Sequence, residues 1–412
     1  MKQRLAGRIA AAFAAVVLAV SILPGVMTGA LPFNYKTDSK SVTVSSEAPK
    51  PTFKKYLTMP SDANVPPVTF NFSIAAGTAV PATEGKLRIK AGVVTTGTPQ
   101  KPSVASVSFS SSDSDTKITT KESGDTTVTI NTNQSYVKKD VSVDFTGVEF
   151  TEPGIYRYVI TETTETSNNA LGVTSSTDPI YLDVYVTDTE GQLSVNSYVF
   201  HSNIDAPSST KTEAYQLDDK VDGIVNSYST KNLTFSKAVD GNQASRDEYF
   251  KFTVTFNNAT VGTKYNVDLT NAESTTAVTG ENATTHSNPS SIEITSAVKS
   301  FEFWIQNGQS ITIQGLAEGT KYTVSEDSAT LTSEGYTASY KVNDAASATT
   351  SSTYSSDATT GITENTTIAF TNTRQGVVPT GIILSTTPYM IIGLIAVAGI
   401  IFLAMRRKRS AE

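Results

Sequence analysis

The chain has 412 residues, 38% of them apolar and 17% charged, with a net charge of −7. That length allows two or three domains, and the composition is apolar enough to build cores rather than stay disordered. The acidic balance, with Lys/Arg clusters only at the two ends, argues against a nucleic-acid-binding face.

The first predicted element is a targeting segment. Lys2, Arg4 and Arg8 precede the apolar run IAAAFAAVVLAVSIL, and the small residues of MTGA follow it. This is the layout of a secretory signal peptide, residues 1–30, cut after Ala30. An uncleaved anchor helix is the alternative, for which the apolar run is short. The chain has no cysteine. An exported protein of this size commonly carries disulfides, so this one needs either packing alone or a different covalent link.

From residue 31 to 376 the pattern is period two, with little helical periodicity. TFNFSI (69–74), GIYRYVIT (154–161) and IYLDVYVTD (180–188) read as strands. So do FKFTVTF (250–256), SITIQGL (310–316), KYTVSED (321–327) and TTIAFTN (366–372). Ser/Thr/Asn/Gly-rich loops such as 110–127, 271–291 and 343–361 separate them. Many short strands with frequent turn signals predict an all-β fold of Ig-like sandwiches.

A repeat predicts two of them. Phe53-x-Lys55-x-Leu57 precedes Phe70-x-Phe72-x-Ile74, and Phe235-x-Lys237-x-Val239 precedes Phe250-x-Phe252-x-Val254. Tyr158-x-Ile160-x-Glu162 has its counterpart in Tyr322-x-Val324-x-Glu326, and each half ends in a strand carrying Asn, Asn226 and Asn372. We place the domains at 31–228 and 229–375, with a C-terminal signal at 376–412.

Side chains alternate faces along a strand, so Lys55 and Lys237 share the core face with their flanking apolar residues, as do Glu162 and Glu326. Burial disfavours both charges, lowering a Lys pKa and raising a Glu pKa. A neutral ε-amine is a nucleophile, and a protonated Glu can polarise an Asn side chain and shuttle protons to departing ammonia. The expected product is a Lys–Asn isopeptide bond, formed once without turnover, tying the first strand of each sandwich to its last.

The tail begins with Val377, Val378, Pro379, Thr380 and Gly381. An apolar run to Met405 and a basic stub, Arg406, Arg407, Lys408 and Arg409, follow. Positive-inside logic keeps the stub cytoplasmic. Motif, apolar run and basic end in that order resemble the cell-wall sorting signal of Gram-positive surface proteins, in its xVPTG variant. That resemblance implies a sortase that cuts between Thr380 and Gly381, and a membrane segment lost from the mature product.

The stretches TFKKYL, TEPGIYRYVITE, IVNSYSTKNLTFSKAV, KYTVSED, IAFTNT and VPTG together resemble the two-domain, T-antigen-type backbone pilins of Gram-positive bacteria, over roughly residues 40–381. The resemblance implies a structural, non-enzymatic pilin that is polymerised by a pilus-specific sortase. It would be joined to identical subunits and accessory pilins and anchored to peptidoglycan in the cell wall. It also implies Lys55–Asn226 and Lys237–Asn372 bonds, with Glu162 and Glu326 as catalysts. Asn203 competes with Asn226, and Lys54 with Lys55 from one register off, facing solvent. The family's intersubunit acceptor lysine falls nearest Lys220, with Lys211 as the alternate. The alternative, a monomeric wall-anchored adhesin or a minor basal pilin, would share the export signal, the sandwiches and the anchor, but would lack that acceptor and form no ladders.

No cofactor or metal is expected. His201 and His286 lack ligand spacing, and Asp113 and Asp115 lack the other ligands of a calcium loop. No nucleotide-binding or hydrolase motif is present.

Overall fold

The computed structural model describes residues 41–94, 101–163, 171–205, 219–271 and 286–376. As the alternation predicts, it is all-β, two tandem sandwiches. The first contains β1 (Val42–Thr43), β2 (Thr52–Pro60), β3 (Val68–Ala76), β4 (Ile89–Ala91), β5 (Ser103–Val104) and β6 (Val107–Phe109). It continues with β7 (Gln134–Asp144), β8 (Glu149–Phe150), β9 (Gly154–Thr163), β10 (Ile180–Thr189), β11 (Gln192–His201) and β12 (Gly223–Ser227). The second begins with β13 (Thr230–Asp240), β14 (Phe250–Phe256), β15 (Lys264–Thr270), β16 (Ser291–Glu293), β17 (Lys299–Ile305) and β18 (Ser310–Ala317). It ends with β19 (Tyr322–Glu326), helix α1 (Ser328–Glu334), β20 (Thr337–Val342), β21 (Thr353–Ser355) and β22 (Thr366–Thr373).

In the first sandwich a sheet of order β11-β10-β9-β3-β6, with β4 added on β9, faces a sheet of order β12-β2-β7-β5. Phe53, Val141, Tyr158, Ile160 and Leu182 from the two sheets meet in one core. In the second, β16-β15-β18-β13-β22-β20 faces β17-β14-β19-β21. Strand β14 shows why these runs are strands: Phe250, Phe252, Val254 and Phe256 are buried, while the alternating Lys251, Thr253 and Thr255 are only half-buried. Each fully buried Phe or Val contributes about 1.5–3 kcal/mol.

Strand β2 departs from that alternation. Its outer face is covered as well, because Ile118, Val128 and Ile130 pack over Tyr56, Tyr136 and Val225. Lys54, expected to face solvent, lies on this outer face and is partly buried, its side chain 20% exposed.

The last strand of each sandwich lies parallel beside its lysine-bearing strand, β12 beside β2 and β22 beside β13. Lys55 pairs with Ile224 and Leu57 with Asn226; Lys237 pairs with Phe370 and Val239 with Asn372. The offset from Lys to Asn is the same two residues in both.

The sandwiches meet through backbone contacts. Ser229 N donates to Gly172 O at 2.8 Å, and Glu318 N to Ser229 O at 3.0 Å. A bulge in the β13–β18 ladder exposes Asn232, whose side chain accepts from Gly315 N at 3.0 Å and donates to Asp62 at 3.0 Å. Gly315 sits at φ +76, and a Cβ there would lie 2.9 Å from the Ala63 Cα.

Candidate functional site

Two buried constellations follow from this register. In the first, Lys55 Nζ donates to Glu162 Oε2 at 2.5 Å and to Asn226 Oδ1 at 2.5 Å, and Asn226 Nδ2 donates to Glu162 Oε1 at 2.6 Å. Lys55 is 0% exposed and Asn226 2%. Lys55 and Asn226 come from adjacent strands of one sheet, whereas Glu162 reaches across from β9 in the facing sheet, opposite Phe72. The Phe70 ring lies 4.3 Å from Nζ and closes the site against water.

The second repeats these relations. Lys237 Nζ lies 2.7 Å from Glu326 Oε1, and Asn372 Nδ2 donates to the same oxygen at 2.6 Å. Glu326 sits on β19 opposite Phe252, and Phe250 lies 4.4 Å from Nζ. The second site is less fully bonded: Lys237 Nζ, Asn372 Oδ1 and Glu326 Oε2 make no well-aligned hydrogen bond, so these atoms are buried with polar capacity unspent.

The electrostatics follow from burial. Desolvation, only partly opposed by Glu162, lowers Lys55 to about 8. Desolvation, opposed by Glu326 and more weakly by Glu248, lowers Lys237 to about 8. Glu326 is pushed up by its own burial against the pull of Lys237 and Asn372. At pH 7 a lysine with that pKa is neutral about one-tenth of the time, against roughly one in three thousand for an ordinary lysine. Each site thus holds an amine able to act as a nucleophile beside a primary amide, with a carboxyl group between them.

The other sequence candidates separate from this geometry. Lys54 binds Asp125 at 2.6 Å and Asp222 at 3.4 Å on the far face of β2, and is no rival for Asn226. Asn203 lies away from Lys55, donating toward Asp219 at 3.4 Å and accepting from Asp205 N at 2.9 Å. Lys220 is half-buried, and its backbone forms an isolated antiparallel bridge with His201, the last residue of β11. Lys211, Val377, Val378, Pro379, Thr380 and Gly381 lie outside the described residues, as do the signal segment and the apolar tail. No helix among the described residues is long and apolar enough to cross a membrane. Asp113 accepts from Ser110 N and pairs with Lys139, and no metal-holding group of acids occurs among the described residues.

Sequence reading missed the hub around Asp125 and Asp222. Asp125 is fully buried and accepts from Lys54, Lys138 (2.8 Å), Tyr136 (2.5 Å) and Tyr56 (3.1 Å). Its members are far apart in the chain, and no local spacing announces them. The aromatic shields at Phe70 and Phe250 were visible in the repeat: each opens the Phe-x-Phe run whose second Phe pairs with the site's Glu.

Residues 51–216 match the family described as the Spy0128-like isopeptide containing domain. The resemblance is to streptococcal pilins. Residues 231–374 match a domain of unknown function, DUF7601. A curated pilin of Streptococcus pyogenes serotype M1 is 27% identical over 272 residues, 65% of this chain and 72% of that pilin. The crystal structure of the major pilin from Streptococcus pyogenes superposes with a TM-score of 0.52 at 23% identity, covering 79% of this chain and 99% of the pilin. A single-residue variant of that pilin gives a TM-score of 0.52 at 22% identity over the same shares. At those identities the likeness to the solved pilins is one of fold.

Proposed function

We propose that this chain is the structural backbone subunit of a covalent pilus, with domains at 31–228 and 229–375, each closed by its own isopeptide bond. The observation that carries this reading is the buried Lys–Glu–Asn set, built twice with one register offset. The neutral Lys55 amine attacks Asn226 Cγ. Glu162 Oε2, at 2.5 Å, takes the ammonium proton, and Oε1, at 2.6 Å from Nδ2, returns one to the leaving nitrogen. The Nζ–Cγ bond forms, the Cγ–Nδ2 bond breaks, and one ammonia departs. Glu326 Oε1 serves Lys237 and Asn372 alike, since it touches both nitrogens.

Export by residues 1–30, sortase cleavage between Thr380 and Gly381, and attack by Lys220 of a neighbouring subunit complete the reading. They rest on the order of motif, apolar run and basic stub, and on the pilin likeness. The partners are then a pilus-specific sortase, identical subunits, accessory pilins and peptidoglycan.

The test is the intact mass of residues 31–376 made without sortase. Two losses of about 17 Da, one ammonia for each amide exchange, mapped to Lys55–Asn226 and Lys237–Asn372, are expected. No loss in a folded sample refutes the self-linking sites. Wall extracts on denaturing gels test the polymer: a ladder abolished by Lys220→Ala is expected. A ladder indifferent to that change moves the acceptor to Lys211, and a single band favours the monomeric adhesin or minor basal pilin.

A further inference from the structure

The two sites hold their asparagines differently. Asn372 lies on β22, which pairs over eight positions with β13 and over six with β20. Asn226 lies on β12, a five-residue strand at the sheet edge that, among the described strands, pairs with β2 alone. A parallel ladder of five offers few hydrogen bonds, and a slip of one residue turns Asn226 away from Lys55 and Ile224 out of the core. A second device holds this register.

The residue before β12 does this. Asp222 uses every polar atom it has. Its backbone O accepts from Lys54 N at 2.7 Å, and its N donates to Thr127 Oγ1 at 3.0 Å. Its Oδ1 accepts from Thr127 N at 2.8 Å and Thr126 Oγ1 at 3.0 Å. Its Oδ2 accepts from Thr126 N at 3.1 Å, from the Tyr56 hydroxyl and from Lys54. Asp125 sits beside it, buried, gripping Lys54, Tyr56 and Lys138. Gly223 then lets the chain drop onto β2, because a side chain there would collide with the Lys54 carbonyl and the Tyr56 ring. All of these contacts lie on the face of the sheet opposite Lys55, where Tyr56 and Val225 join the outer cluster while Phe53 and Ile224 join the inner core.

We infer that Asp222, supported by Asp125, is a positioning residue that locks β12 onto β2 in the one register that presents Asn226 to Lys55. The inference rests on the cross-linking reading above. It makes the first bond, and not the second, dependent on a polar clamp on the opposite face of the sheet from the reacting atoms. Lys54, one register off the nucleophile, belongs to the clamp.

The experiment follows the full chain, produced unfolded in inclusion bodies, refolded by dilution without sortase and sampled by peptide mass mapping. In Asp222→Ala, formation of the Lys55–Asn226 linkage is expected to slow at least tenfold or stop short of completion. The Lys237–Asn372 linkage in the same molecules proceeds as in wild type. Asp222→Asn, which keeps the oxygen that accepts from Thr126 and Thr127, is expected to restore most of the rate, a rescue that general loss of stability would not give. If Asp222→Ala does not fold, Thr127→Val removes one arm of the clamp and is expected to slow the first linkage only. Equal rates for the first linkage in wild type and in the folded variants overturn the inference. Absence of both linkages from the wild-type chain overturns the cross-linking reading and this inference with it.

Discussion

The sharpest consequence of the first site concerns Asn226→Ala. The Lys55–Asn226 bond would close a loop spanning 171 residues. The chain-entropy treatment of cross-links gives about 5 kcal/mol for a loop of that size. In the linked protein Asn226 Nδ2 has already left as ammonia, so the truncation adds no cost from that hydrogen bond. The Lys55–Glu162 pair stays, so no unpaired charge is created. With roughly 2–4 °C per kcal/mol for a domain of this size, the N-terminal melting transition should fall by about 10–20 °C. Scanning calorimetry on samples of verified mass checks this, with the C-terminal transition as internal reference. A folded variant lacking the first ammonia loss, yet melting within about 3 °C of a linked wild type, would refute the entropic argument.

Further outcomes follow from other contacts. Because Lys55 and Lys237 sit at about 8, the rate of ammonia loss in freshly refolded chain should rise nearly tenfold per pH unit below that value and level off above it; a flat profile from pH 6 to 8 counts against a neutral amine as nucleophile. Glu326→Ala should abolish the second bond only and cost about 3–5 kcal/mol, since Lys237 loses its buried partner; chemical denaturation of the C-terminal sandwich measures it. Lys54 and Asp125, though 2.6 Å apart, should never lose water to form an amide. Burial alone would raise the Asp125 pKa, but hydrogen bonds from Lys138, Lys54 and Tyr136 hold it well below the carboxylate range, so its ionised form is unreactive; a species 18 Da light mapped to this pair would contradict that account. Gly315→Ala should cost about 1–3 kcal/mol at the joint, through its φ of +76 and the close Ala63 backbone, and should alter the X-ray scattering envelope.

The parts of this molecule that were legible in its sequence are those written in short-range pattern. Period-two runs such as Phe250 to Phe256 announced sandwiches because one face of each strand meets the core. Lys55 and Glu162 announced themselves by sharing a face with buried residues on either side. Strand order was not legible, since parallel pairing of β2 with β12 joins residues about 170 positions apart and leaves no local trace. The placing of Lys54 failed for a related reason: its strand was read as having one covered face, and the cover on the other comes from residues 118–130. Helix α1 was missed because seven residues capped by Asp327 and Gly335 are too few to establish a 3.6-residue period.

The parallel alignment of β2 with β12 and of β13 with β22 bears on how such a subunit would meet tension. A pull on both ends loads β2 against β12, and β13 against β22, in shear, so neighbouring backbone hydrogen bonds must fail together rather than one at a time. With the two amides in place, force entering at Lys55 crosses directly to Asn226, runs eleven peptide steps to Lys237 (237 − 226), and crosses again to Asn372. That link is only about 36 Å of extended chain, at roughly 3.3 Å per residue. Residues 56–225 and 238–371 hang beside the covalent line as unloaded folds. A fibre of such subunits would be nearly inextensible, and its elasticity would reside in the short spans between domains and between neighbours.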